Sequence, residues 1–166
     1  NMTDCLGVLK AAQFGELKQF DQLMEQFETR WRHDPLVLDK WFALHANMER
    51  SDILVRLPLL LSHDKFSLEN PNRVRSVLGS FAFYNVLGFH AVDGSGYKFL
   101  ADYILKLNSV NPQVAARIIT PLTQWQKFDE KRRELMRYQL ARIADCQDLS
   151  KDLIEKVSKS LNYTSH

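Results

Sequence analysis

The chain has 166 residues, of which 25% are charged and 45% hydrophobic, and its formal net charge is +2 at pH 7. That length is one domain's worth with room for a sizeable core, and the mixture is that of an ordinary globular fold. So small a net charge offers no electrostatic footprint for nucleic acid or an anionic membrane, and no run of about 18 apolar residues could span a bilayer.

Asn1-Met2-Thr3-Asp4-Cys5 has neither a basic n-region nor an apolar h-region, so no secretory signal is read there, and the missing initiator Met hints at a fragment. Cys5 and Cys146 stand near opposite ends of the chain, a usage that reads as reduced thiols. Asn1-Met2-Thr3 and Asn162-Tyr163-Thr164 match the N-glycosylation pattern, a tripeptide that arises easily by chance. The expected compartment is cytoplasmic.

In chain order, Leu17, Phe20, Met24, Phe27 and Trp31 recur at spacings of three and four, the apolar stripe of a helix. Asp34-Pro35 then reads as an N-cap followed by a proline suited to the first helical position, with Val37, Trp41, Leu44 and Met48 on one face. Ser51 or Asp52 caps the next expected helix, whose inward residues are Ile53, Leu57, Leu60 and Leu61, and Pro58 should kink or divide it. Asn70-Pro71 repeats the cap-plus-proline start ahead of Val74, Val77, Leu78 and Phe81. Between Phe83 and Gly96 the periodicity lapses, and Asp93-Gly94-Ser95-Gly96 reads as a flexible turn with glycines at positive φ. Leu100, Tyr103, Ile104 and Leu107 resume the helical pattern, closed by Asn108.

Asn111-Pro112 starts a third helix of the same kind, burying Val114, Ile118 and Trp125, with Pro121 bending or interrupting it. Phe128-Asp129 opens a long polar helix to about Ala144, and Ser150 caps a last one carrying Leu153, Ile154, Val157 and Leu161. Trp31, Trp41 and Trp125 fall on the apolar stripes. No stretch alternates with period two, so strands are not expected. The expected fold is all-α: one domain over residues 1–166, with stacked antiparallel helix pairs forming an α-superhelix, a solenoid like HEAT or armadillo arrays. The Asx-Pro starts at 34, 70 and 111 recur near the 40–47 residue spacing of such arrays.

The chemistry-bearing residues are sparse. His33, His45, His63, His90 and His166 are isolated, without a His-Glu-x-x-His pair or a Cys partner at ligand spacing. Asp93-Gly94-Ser95-Gly96 fits neither a nucleophile elbow, a P-loop nor a dinucleotide fingerprint. Lys127, Lys131, Arg132, Arg133, Arg137 and Arg142 tilt the long helix basic, but Asp129, Glu130 and Glu134 interleave at pairing distance. A salt-bridged solvated face is therefore preferred over RNA binding, which would show steep salt dependence. Two capped helices each present an arginine, Arg75 five residues past Asn70 and Arg117 six past Asn111, and Gln113 shares a face with Arg117. These groups suit an oxyanion or carbonyl, although on helix grammar alone ordinary solvated or salt-bridged surface arginines are the preferred reading. Residues alone license an all-helical interaction scaffold.

Several long strings carry a resemblance. Leu36-Val37-Leu38-Asp39-Lys40-Trp41-Phe42, Asn70-Pro71-Asn72-Arg73-Val74-Arg75-Ser76, Phe89-His90-Ala91-Val92-Asp93-Gly94-Ser95-Gly96-Tyr97 and the run from Asn108 to Arg117 resemble, in this order, the C-terminal helical domain of the bacterial aminopeptidase N family of zinc aminopeptidases. The resemblance covers nearly the whole chain and is densest from Leu36 to Arg133. It implies a parent enzyme whose zinc sits in an upstream domain carrying His-Glu-x-x-His and Gly-Ala-Met-Glu-Asn, neither of which is in this chain. It further implies a non-catalytic fragment with no cofactor of its own. Such a domain closes over the active-site chamber, restricts it to short peptides and has the upstream catalytic domain as its partner. Arg75, Gln113 and Arg117 are then the substrate-binding residues facing that chamber. A free-standing helical-repeat scaffold binding a protein partner is the alternative.

Overall fold

A computed structural model describes residues 17–162, with side chains from Asp21 onward. Cys5, His166, Asn1-Met2-Thr3 and the last two residues of Asn162-Tyr163-Thr164, together with the side chains of Leu17 and Phe20, lie outside the described residues. The regular structure among those described is all helical, with no strand. In chain order the helices are α1 (Leu17–Trp31), α2 (Pro35–Ala46), α3 (Ile53–Leu61) and α4 (Pro71–Val74). A π-helical turn, Arg75–Gly79, leads into α5 (Ser80–Tyr84), followed by α6 (Val86–Phe89) and α7 (Ser95–Val110). Then come α8 (Pro112–Ile118), α9 (Thr120–Thr123), a 3₁₀ turn at Trp125–Lys127, α10 (Glu130–Ala144) and α11 (Lys151–Asn162). No helix among them is long and apolar enough to cross a membrane.

Local chemistry explains several of the starts. The side chains of Asp34 and Asn70 accept from the amides of Val37 and Arg73, and Pro35 and Pro71 occupy the first helical position. Asp129 caps α10 by accepting from Arg132 N, and Ser150 Oγ accepts from Leu153 N. Asn111 departs from the pattern: its side chain caps nothing, and Pro112 alone marks the start of α8. Asp52 precedes α3 without capping it, because its carboxylate is gripped by Arg50 through Nε at 2.7 Å and Nη2 at 3.1 Å. Pro58 does not divide α3. In a helix of nine residues its missing N–H removes one bond, and the ring is tolerated on the exposed side. Pro121 does interrupt, separating α8 from α9.

The core runs continuously from Met24 and Phe27 to Leu153 and Val157. Val74, Val77, Leu78 and Phe81 are fully buried, as are Met136, Leu140 and Ile143. Trp41 and Trp125 are buried, whereas Trp31 is half-buried with the Arg30 guanidinium over its ring. Ile154 is exposed rather than inward.

The region from Phe83 to Gly96 is where the expected flexible loop proves wrong. It contains the end of α5, all of α6 and the first residues of α7. Gly94 alone has positive φ, at 77°. Gly96 is helical, and a Cβ there would lie 2.4 Å from Phe89 O and 2.5 Å from Gly88 O, so α7 starts directly against the α6 backbone. Asn85, itself buried, fastens the same corner. Its Nδ2 donates to Ala46 O and Met48 O, and its Oδ1 accepts from Gly88 N. Asn108 does not close α7, which runs two residues further. Instead it clamps the turn before α11, donating to Asp148 O and accepting from Ser150 N.

Candidate functional site

Gln113 and Arg117 both lie exposed on the outer face of α8, four residues apart, and line one groove of about 430 Å³. The opposite wall is α11, contributing Asp152, Glu155, Lys156 and Lys159, with Ala116 at the base. The two walls are stitched together. Lys156 Nζ donates to Ala116 O at 2.6 Å and to Thr120 Oγ1 at 3.1 Å, while Thr120 Oγ1 donates to Arg117 O at 2.9 Å. The lysine thus satisfies a carbonyl in the last turn of α8, where helices leave acceptors unpaired and favour cations. Further along, Ser160 Oγ donates to Thr123 O and accepts from Trp125 Nε1. With both walls pinned, the groove has a fixed width.

Arg75 stands apart from this groove. It opens the π turn, half-buried, with Nη2 donating to Asn72 Oδ1. Its Cβ and the Ile118 Cγ2 flank Gly79, each under 4 Å from where a Cβ on that glycine would sit. The root of Arg75 is therefore packed close to α8, beside the residue that follows Arg117. Of the three sequence-derived residues, the structure joins Gln113 and Arg117 in one groove and sets Arg75 on the adjoining π turn.

The side chains of Arg117 and Lys159 have no hydrogen-bond or ion-pair partner among the described residues, so their donors are available. Neither Lys156 nor Lys159 stands out in the sequence, because a lysine pair on the polar face of an amphipathic helix reads as solvated surface. Arg73 was likewise missed. It is buried, with Nε at 2.6 Å from Asp39 Oδ1, Nη1 on Lys65 O and its guanidinium over the Phe42 ring.

His33 is exposed, whereas His45, His63 and His90 pack against the interior. His45 is buried edge-on to Trp41, and burial, reinforced by Arg56, Arg50 and His63, lowers its pKa to about 3. His63 Nδ1 accepts from Lys65 N, leaving Nε2 to meet Glu28 Oε1 at 3.1 Å. His90 Nδ1 lies 2.7 Å from the hydroxyl of fully buried Tyr97, and its ring stacks on Phe128. Burial lowers the His90 pKa and pushes Tyr97 up to about 12. Among the described residues no three His, Cys, Asp or Glu side chains converge where one metal ion could be shared. The cations of α10 are partly paired, Arg132 with Asp129 and Arg142 with Asp102, while Arg137 lies over Trp125.

Residues 1–162 match the family described as "Domain of unknown function (DUF3458_C) ARM repeats". Aminopeptidase N of Haemophilus influenzae is 48% identical over 161 residues, and aminopeptidase N of Escherichia coli 45% identical over 161. Each alignment covers 97% of this chain and 18% of the relative. A crystal structure of Legionella pneumophila aminopeptidase A in complex with aspartic acid superposes with a TM-score of 0.87 at 31% identity, over 96% of this chain and 18% of that one. The chain therefore spans under a fifth of these relatives' length. Stacked helices, with no strand among the described residues, and a match to ARM repeats over residues 1–162 place the chain in the DUF3458_C family, as the C-terminal part of an aminopeptidase N-like protein.

Proposed function

We propose that this domain forms a wall of the active-site chamber of a zinc aminopeptidase, admits short peptides and helps hold them while the upstream domain releases the N-terminal amino acid. The observation that carries this reading is the rigid groove in which Gln113 and Arg117 present uncommitted donors side by side. A guanidinium offers a planar fork that grips a peptide carbonyl or carboxylate through two parallel hydrogen bonds, and a neighbouring amide adds a third donor. Arg75 adds a second guanidinium from the adjoining turn. Guanidinium and amide groups act here as hydrogen-bond donors, so their work is binding and orientation. Enclosure excludes folded proteins, whose N-termini cannot thread into a closed space.

An exposed apolar corner also favours a domain built to abut another body. Phe83, Tyr84, Val86 and Leu87 fall within five consecutive positions and are 45 to 70% exposed, denser than the scattered apolar residues of ordinary surfaces. Hydrolysis on this reading belongs to the parent. The purified 166-residue chain is expected to show no turnover of an alanine anilide, and co-purification with the upstream half is expected to accompany activity. Measurable turnover by the chain alone would refute the assignment.

A further inference from the structure

The groove holding Gln113 and Arg117 does not stop at Arg117. A second hollow of about 510 Å³ shares Lys156 and Lys159 with it and continues past Thr120 and Thr123 to Lys127. The two hollows form one trough between α8–α9 and α11. Residue numbers rise in the same direction along both walls, since Lys156 meets Ala116 and Thr120 while Ser160 meets Thr123. The trough is consequently polarised. Asp152 and Glu155 lie at the Gln113 end and border only the first hollow, Lys156 and Lys159 border both, and Lys127 borders only the second, so that the far hollow carries cations and no carboxylate. Lys156 is committed to the wall itself, but Lys159 and Lys127 have no ion-pair partner among the described residues.

We infer that the trough beyond Arg117 receives the C-terminal carboxylate of a short peptide, with Lys159 as its counter-ion and Lys127 extending the positive end. This rests on the chamber reading above and adds a direction to it. A peptide whose chain is held by Gln113 and Arg117 places its anionic terminus toward the cations and away from Asp152 and Glu155. Opposite orientation sets like charges together, which is unfavourable at both ends. Lysine suits the role because a compact ammonium on a flexible stem follows the terminus of peptides of different length.

The test uses the full-length aminopeptidase and three substrates: a tripeptide with a free carboxylate, its C-terminal amide, and that amide with glutamate at the third position. Lys159→Gln is expected to reduce the KM preference for acid over amide by about 1.5-fold to fivefold, the range for an exposed ion pair, and Lys159→Arg to retain it. An unchanged preference in Lys159→Gln overturns the inference, as does a loss seen only with the glutamate side chain. If Arg117→Ala still raises KM for tripeptides in that event, the chamber reading stands and only the carboxylate assignment falls. If Arg117→Ala leaves tripeptides unaffected, both fall.

Discussion

Gly96→Ala places one methyl group where α7 meets the α6 corner, and its cost follows from the geometry. The new Cβ would stand 2.4 Å from Phe89 O, 2.5 Å from Gly88 O and 2.7 Å from Phe89 Cα, all inside the 3.0 Å floor of real contacts and all backbone atoms that no rotamer change can move. Relief requires the start of α7 to withdraw by about half an ångström or more, which loosens the edge-on packing of Tyr97 on Phe89. Overpacking of this kind costs about 1–3 kcal/mol, and a rigid neighbour puts it near the top of that range. For a domain of this size that is roughly a 6–12 °C drop in melting temperature. Gly79→Ala makes the same chemical change with the opposite outcome. Its Cβ meets Arg75 Cβ at 3.7 Å and Ile118 Cγ2 at 3.8 Å, ordinary contacts, and the unfolded chain loses freedom. That variant should be neutral or more stable by about 0.5–1 kcal/mol. Circular dichroism during urea and thermal unfolding compares the two. A Gly96→Ala midpoint equal to that of the unaltered chain would refute the close-approach argument, and failure of Gly96→Ala alone to fold would support it.

Arg73→Met removes the buried partner of Asp39 and the donor to Lys65 O, and should destabilise by about 3–5 kcal/mol in urea unfolding; a loss under about 1 kcal/mol would mean the pair is solvated. His45 holds its pKa at about 3 when folded against an ordinary value of 6.5, because burial penalises the imidazolium. The unfolded chain therefore binds a proton between pH 6.5 and about 3 that the native state refuses, and stability should fall as pH is lowered through that window, by up to about 1.4 kcal/mol per pH unit. Burial depresses His90 in the same sense, and Asp52, Asp93 and Asp102 add their own losses only near and below 3.8. His45→Gln should flatten the slope above pH 4 in unfolding series at fixed salt, and an unaltered slope would exclude His45 as its source.

The helix starts at Asp34 and Asn70 were legible because a cap and the proline after it act within four residues of chain. The same grammar misled at Asn111, where the side chain caps nothing. Gly96 was read as a source of positive φ, yet its role is contact with a backbone seven residues away, which no local pattern carries. The π turn at Arg75–Gly79 left no mark either. One extra residue per turn is tolerated where Gly79 lets the segment lie against Ile118, a partner 39 positions on. Buried stripes were readable from period alone, but Arg73 was not, since its partner Asp39 is 34 residues distant. The groove shows the limit most clearly. Gln113 and Arg117 share a face by spacing, while Lys156 and Lys159 reach them only through the packing of α11 on α8.

The most direct test is the KM of full-length enzyme carrying Arg117→Ala, measured for tri- and tetrapeptides and for single-residue anilides. A wall that holds the peptide beyond its first residue predicts that KM rises for the peptides, by about tenfold or more for a lost charged hydrogen bond, and rises far less for the anilides. Equal effects on both substrate classes, or none on either, would contradict it.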